Sequence, residues 1–311
     1  MNSTMNHIIC KFLKMCYKNE LIRMCNKTVG IAVSKHNYKV TKYFPIHWKV
    51  FHELTRYASS DDSDTLLLSC VNGHKMYANP QDCLTFISGV VWEPETTEIF
   101  NSLLQDGDVV IDIGAYIGYF TLMAASKVGK EGLVFAFEPN PQNYTLLTKN
   151  VVMNGYTNVV AIQKAVSDKN GSAVFYLRYD KSAHSLFEDH SYMRPAGQIT
   201  VQTICLDNFL KGSESLISRI KLIKMDVEGA EMLALSGMSR LVRNSEKLSM
   251  ILEFTPSFIT ASGHQPEELL KKIAEWGFKI NVIGEKGDLD AVEILEKATR
   301  TQPLNLLCYK P

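Results

Sequence analysis

Val109-Val110-Ile111-Asp112-Ile113-Gly114-Ala115-Tyr116-Ile117-Gly118 is the stretch that decides the fold. Four β-branched apolar residues around one aspartate read as a short strand buried on both faces, the kind that parallel sheets contain. Gly114 stops the strand, and residues 117–128 continue with helical spacing. Gly114 lets the backbone turn tightly, and Gly118 lets another element pack close. The pattern is not the dinucleotide fingerprint, because Tyr116 stands where its second glycine would be. No Gly-Lys-Ser/Thr follows either, so a P-loop is disfavoured. Taken alone, such a turn needs no ligand.

Working outward, the same rhythm repeats. Leu133–Phe137 reads as a second buried strand, stopped by Glu138-Pro139. Residues 141–153 read as a helix closed by Asn154-Gly155, and Val159–Val166 as a third strand. Ile220–Met225 is a fourth strand, after which Gly229 opens a helix to about Leu235. Leu248–Phe254, Phe278–Ile283 and Pro303–Tyr309 complete the strands, with a helix at Pro266–Trp276. Residues 172–179 and 197–204 read as two exposed strands flanking a polar loop. Upstream, Glu95–Leu104 has an amphipathic helical pattern, and 65–92 is short and strand-like. Strands alternating with helices predict a doubly wound, mostly parallel α/β sheet. Ligands bind such sheets at the carboxyl ends of the strands. The residues to inspect are therefore 112–118, 138–143, 165–168, 225–231 and 253–255.

Composition sets bounds. Of 311 residues, 46% are hydrophobic and 21% charged, which is ordinary for a folded chain. The 33 basic and 33 acidic residues cancel, but unevenly. Residues 1–60 hold ten Lys/Arg against only Glu20 and Glu53. This predicts a basic extension over 1–64, helical and irregular, ahead of a domain over 65–311 with its core at 107–254. A basic arm on an acidic body can touch an anionic partner or its own body. Apolar residues interrupt the basic run and no dense Lys/Arg block forms, which favours the second. A helix lying on a membrane surface at 8–25 also stays open. Seven cysteines without a CxxC pair indicate neither a disulfide framework nor a zinc site, and fit a cytoplasmic protein. No stretch has the length of apolar sequence that a membrane span needs. The sequence has no clear nucleic-acid motif and leaves homo-oligomerisation open.

Three strand ends carry candidate chemistry. Asp112, Gly114 and Gly118 are the first. Glu138 is the second, twenty residues past Gly118. A carboxylate at that strand end can accept hydrogen bonds from both hydroxyls of a ribose. It can equally be an acid favoured by a helix N-terminus. The third is Lys221-Leu222-Ile223-Lys224-Met225-Asp226-Val227-Glu228-Gly229-Ala230-Glu231. Its carboxylates suit a cationic ligand such as a sulfonium, or merely decorate a helix start. Asp226 is expected to face the ligand and Glu231 to be structural. The polar loop adds Ser182, His184, Ser185, Asp189, His190, Tyr192 and Arg194. His184 can serve as a general base or sit in solvent.

These residues together resemble the FkbM family of methyltransferases from about Gly107 to Phe254. The carrying segments are GDVVIDIGAYIGYFTLMAA at 107–125, FEPNPQNYTLLTKNVVMNG at 137–155 and IKMDVEGAEMLAL at 223–235. The resemblance implies a seven-stranded, Rossmann-like fold with an antiparallel last strand. It implies S-adenosylmethionine as cofactor. By the same likeness Asp112, Gly114, Tyr116 and Gly118 line its methionine part. Glu138, with Asn143 nearby, holds the ribose. Ala165, Val166, Ser167 and Asp168 lie by the adenine. Asp226 and Glu228 line the junction with the acceptor. Tyr116 stands where the family often has asparagine, and residues 1–60 have no counterpart in it.

Transfer from a sulfonium needs an acceptor held in line and a base to take its proton. Asp226, Glu228 and His184 are the candidates. No metal is expected, although Asp226 and Glu228 have the chemistry to hold a divalent ion on a diol. The expected reaction is O-methylation of a hydroxyl on a small molecule, such as a sugar or secondary metabolite. The alternatives are methylation of protein or nucleic acid, and a binding protein that keeps the fold without catalysis. The Asn/Asp-Pro-Pro-aromatic signature of amine methylation is absent after the fourth strand.

Overall fold

The order of the strands follows from two facts: parallel neighbours need helical crossovers, and the crossovers cover both faces. In the computed structural model, seven strands form one sheet. The model describes residues 67–78, 91–188, 195–298 and 303–311. Two units compose the chain, Met1–Trp92 and Glu93–Pro311. In the first, β1 (Leu67–Val71) and β2 (His74–Ala78) pair antiparallel. Asn72 and Gly73 both take positive φ, 49° and 82°, as a tight two-residue hairpin turn requires. The expected arm over 1–64 lies outside the described residues.

In the second unit, α1 (Pro94–Leu103) precedes β3 (Val109–Ile113) and α2 (Tyr119–Lys127). Then come β4 (Leu133–Phe137), α3 (Pro141–Met153) and β5 (Val159–Ile162). A three-stranded insertion follows: β6 (Ala165–Val166), β7 (Gly171–Arg178) and β8 (Pro195–Ile204). Two short helices, α4 (Leu206–Phe209) and α5 (Glu214–Ile217), lead into β9 (Ile220–Met225). The rest is α6 (Glu231–Gly237), α7 (Ser239–Asn244), β10 (Ser249–Phe254), α8 (Pro256–Ala261), α9 (Pro266–Glu275), β11 (Lys279–Val282), α10 (Ala291–Lys297) and β12 (Leu304–Tyr309).

The sheet order is β11-β12-β10-β9-β3-β4-β5. Only β12 runs antiparallel, against β10 and β11. β3 lies between β9 and β4, parallel to both, and all five of its residues are buried. The chain steps from β3 to β4 on one side and returns to β9 on the other, so the carboxyl ends of β3 and β9 open the crevice of a doubly wound sheet.

One expected strand divides in two. Val159–Val166 does not run straight, because Lys164 N–H turns back to the carbonyl of Ile162 at 2.9 Å. Ala165 and Val166 then leave the main sheet and pair parallel with β8. The exposed hairpin is present as expected, with β7 and β8 antiparallel. The helix after Gly229 starts two residues later, at Glu231.

Candidate active site

The crevice is built by backbone first. The carbonyl of Phe137 accepts from the N–H groups of Gly114 and Ala115 at 3.0 and 2.9 Å, and the carbonyl of Ile113 from Asp226 N–H at 3.0 Å. Three strand ends are thereby joined. Gly114 has φ +79°, and a Cβ there would lie 1.8 Å from the carbonyl oxygen of Asp226. Only glycine permits that approach. At Gly118, with φ +98°, a Cβ would lie 2.8 Å from Leu147 Cδ1, so α3 packs directly on the turn.

Glu138 is 5% exposed. One oxygen accepts from Tyr116 N–H at 2.9 Å and the other from Asn140 N–H at 2.8 Å. Helix capping falls to Asn140 instead, whose Oδ1 accepts from Gln142 and Asn143 N–H at 2.8 and 3.1 Å. Glu138 thus ties the glycine turn to the start of α3. Each oxygen keeps further lone-pair capacity for a ligand hydroxyl. Burial pushes its pKa up to about 8, against the opposing backbone hydrogen bonds. Tyr116 takes φ +52°, a left-handed position fixed through its own N–H. Asn143 is buried, with Nδ2 donating to the Lys181 carbonyl at 3.2 Å. Its Oδ1 is buried with no hydrogen-bond partner among the described residues.

Asp112 is also buried, and Thr121 Oγ1 donates to it at 2.5 Å. Burial pushes it up to about 6. Ala165 and Val166 are buried in the insertion's sheet, while Asp168 is exposed and 3.1 Å from Ser167 Oγ.

Beyond β9 lies the acidic cluster. One carboxylate oxygen each from Asp226, Glu228 and Glu253 lies within 4.8 Å of the other two. The cation among them belongs to the chain itself: Lys224 Nζ is 3.1 Å from Asp226 Oδ2. Burial raises Glu228 well above the usual carboxylate range, and Asp226 and Glu231 raise it further. Burial raises Glu253 likewise, followed by Asp226 and Glu228. Glu231 is buried, accepts from Gly229 N–H at 3.2 Å and is pushed up to about 7, mainly by burial. Glu228 holds φ +52°, and its carbonyl accepts from Ser185 Oγ at 2.6 Å. The inserted loop is thus pinned to the site at Ser185 and, through Lys181, at Asn143.

His184 sits on that loop with Nδ1 accepting from Arg178 N–H at 3.0 Å. Burial lowers its pKa to about 4. Ser182 is held by Asp180, whose Oδ1 accepts from its hydroxyl at 2.7 Å. Asp189, His190, Tyr192 and Arg194 lie outside the described residues.

Three site residues escaped the sequence reading. Lys224 had a signal, a charge in the apolar run Ile220-Lys221-Leu222-Ile223-Lys224-Met225 at a buried position, whereas Lys221 is only half-buried. Glu253 had a weaker one, lying in the inspected window after the fifth strand. Glu93, raised by burial and within electrostatic reach of Lys224 and Asp226, had none, since it stands before a helix far from any core strand.

A sulfonium nucleoside with an amino acid tail fits this donor set. Glu138 offers lone pairs for a ribose, Asn143 offers an unused buried oxygen, and the acidic cluster suits the sulfonium and amino charges.

The chain is similar to known methyltransferases. The family model of the methyltransferase FkbM domain matches residues 112–280. The hexuronic acid methyltransferase AglP of Haloferax volcanii is 28% identical over 140 residues, 45% of this chain and 54% of that protein. The chain therefore spans about half the length of that relative. Methyltransferase 1 of Beauveria bassiana is 26% identical over 181 residues, 52% of this chain and 71% of that protein. An S-adenosylmethionine-dependent O-methyltransferase of Thermotoga maritima aligns in structure with a TM-score of 0.39 at 16% identity, over 71% of this chain and 66% of that one. By the match over most of its core sheet, the chain belongs to the FkbM methyltransferase family, whose methyl donor is S-adenosylmethionine.

Proposed function

We propose that the protein methylates a hydroxyl oxygen of a small molecule, such as a sugar or a secondary metabolite. The observation that carries this is the group of carboxylates at the mouth of β9 and β10. Burial and neighbouring carboxylates raise Glu228 and Glu253 above the usual carboxylate range, which makes either one, when ionised, a stronger base than an ordinary carboxylate. An amine acceptor needs no such base once it is neutral, whereas a hydroxyl does. The likeness to the hexuronic acid methyltransferase of Haloferax volcanii supports a sugar-like acceptor.

Bound S-adenosylmethionine supplies an electrophilic methyl group on a positively charged sulfur. The chain's part is positioning and proton removal. Glu138 and Asn143 hold the ribose, and the turn at Gly114–Gly118 holds the methionine end. Asp226 faces the sulfonium. Glu228 or Glu253 accepts the hydroxyl proton as the oxygen–carbon bond forms and the carbon–sulfur bond breaks. His184 is poorly suited to this step, since Nδ1 is engaged and its pKa is about 4.

Radiolabelled methyl transfer into pools of candidate acceptors tests the reading. Label is expected in base-stable ether linkages on small hydroxylated molecules. Label in protein or nucleic acid instead would sink it. Once an acceptor is known, Glu228→Gln or Glu253→Gln is expected to lower kcat about 100-fold, the scale of a lost general base. Unchanged turnover in both would mean that the chemistry lies elsewhere.

A further inference from the structure

A lysine is a surprising floor for a site that takes a cation. Lys224 is 1% exposed and lies one residue from the end of β9. In register it stands beside Asp112 of β3 and Ile251 of β10. Its ammonium is 3.1 Å from Asp226 Oδ2 and 5.0 Å from the centre of the Phe120 ring on α2. The pair is asymmetric. The lysine side chain is 2% exposed and the aspartate 35%. One carboxylate oxygen is thus gripped from below while the group as a whole reaches the crevice.

We propose that Lys224 is a positioning residue that holds Asp226 as an oriented anion beneath the sulfonium of the methyl donor. Without it, Asp226 would share the crevice floor with Glu228 from the turn after β9, Glu253 from β10, Glu231 from the start of α6, Glu93 from the start of α1 and Asp112 from β3. So many carboxylates in partly desolvated surroundings cannot all stay charged. One internal cation offsets that repulsion and also fixes a geometry. Burial works against the lysine's charge, but Asp226, then Glu93, Glu253 and Asp112, outweigh it and raise its pKa. The lysine therefore stays charged throughout the working range, and Phe120 closes one side against water. The inference uses the position of Asp226 beside the donor and is independent of which acceptor is methylated.

The donor and its product provide the test, because S-adenosylmethionine carries the sulfonium charge and S-adenosylhomocysteine does not. The ratio of their dissociation constants, measured by calorimetry on the full chain, isolates how the site treats that charge. Lys224→Met is expected to make the preference for the charged ligand fall about tenfold more than in the wild type between about pH 8.5 and about pH 6, where the carboxylates no longer have an internal cation to keep them charged. Glu93, Asp112, Glu228, Glu231 and Glu253 titrate in both proteins, so the comparison is the difference between them. Asp226→Asn in the Lys224→Met background is expected to remove most of that difference, and Lys224→Arg to restore the wild-type profile. A purely structural lysine would weaken both ligands equally at every pH. An unchanged pH profile of the ratio in folded Lys224→Met overturns the proposal. Should that variant not fold, Asp226→Asn alone decides: the preference for the charged ligand is expected to drop at both pH values, and a retained preference overturns the proposal. Failure to find a hydroxyl acceptor would leave these binding ratios untouched, so the two readings fail separately.

Discussion

Glu138 shows how one side chain can organise a turn and still serve a ligand. Its two oxygens already accept the Tyr116 and Asn140 N–H groups, so the carboxylate arrives at the crevice with fixed orientation. Charged hydrogen bonds of this kind contribute about 1.5–3 kcal/mol each. Glu138→Ala is therefore expected to weaken S-adenosylhomocysteine binding about 10- to 100-fold, as read by calorimetry. Binding within twofold of the wild type would remove Glu138 from the ribose role. The residue's position was legible because a strand end followed by Glu-Pro fixes where the carboxylate falls. Its engagement with Tyr116 was not, since that contact joins residues 22 apart through a left-handed backbone that sequence does not announce. Lys224 and Glu253 were hidden for a related reason. Alternation along a strand identifies facing but says nothing of which charges meet across strands.

At the scale of elements, the site depends on close approach of strand ends. Gly114→Ala would drive a methyl group into the Asp226 carbonyl at 1.8 Å, and at φ +79° besides. Backbone must move, so the variant is expected to lose stability by about 1–3 kcal/mol and to lose donor binding with it. Thermal melts with and without S-adenosylhomocysteine check both; a wild-type melt would mean that the β3–β9 junction is slack. Ser185→Ala is a milder change at the second junction. It removes the 2.6 Å bond to the Glu228 carbonyl and frees the loop from the acidic turn. Its expected signature is lowered turnover with donor affinity preserved, because Ser185 holds Glu228 while the loop's tie to the donor side, Lys181 to Asn143, stays in place. Lowered donor affinity of the same size would show that the loop serves the cofactor instead. The strands of the core were legible from their apolar runs. The short helices α4, α5, α7, α8 and α10 were not, as four to seven residues give too few turns for a helical period to emerge. The break between β5 and β6 escaped for another reason. Both halves are apolar, and only the turn at Ile162–Lys164 separates them.

At the scale of the whole second unit, buried acids accumulate at the carboxyl ends of the strands, and this couples folding, ligand and pH. Asp112, Glu231 and Glu138 are pushed up to about 6, 7 and 8, all chiefly by burial. In the unfolded chain such groups titrate near about 4. The folded protein therefore holds more protons than the unfolded one between about pH 4 and about pH 8, and linkage makes stability fall as pH rises through that window. His184 acts in the opposite sense, but only below about pH 6.5, where the unfolded chain would take up its proton. Between about pH 6.5 and about pH 8 the carboxylates act alone. Melting temperature without ligand is expected to drop across this interval by roughly 2–4 °C for each kcal/mol lost. A cationic donor favours the ionised carboxylates, so the stabilisation by S-adenosylmethionine is expected to grow over the same interval, with protons released on binding. Scanning calorimetry at several pH values reads both trends, and titrations in buffers of different ionisation enthalpy count the protons. In Glu138→Gln the ligand-free slope near about pH 8 should flatten, since the carboxyl pushed up to about 8 is gone. A slope that survives the substitution would assign the proton to Glu228 or Glu253 and place the coupling at the acidic mouth rather than at the ribose.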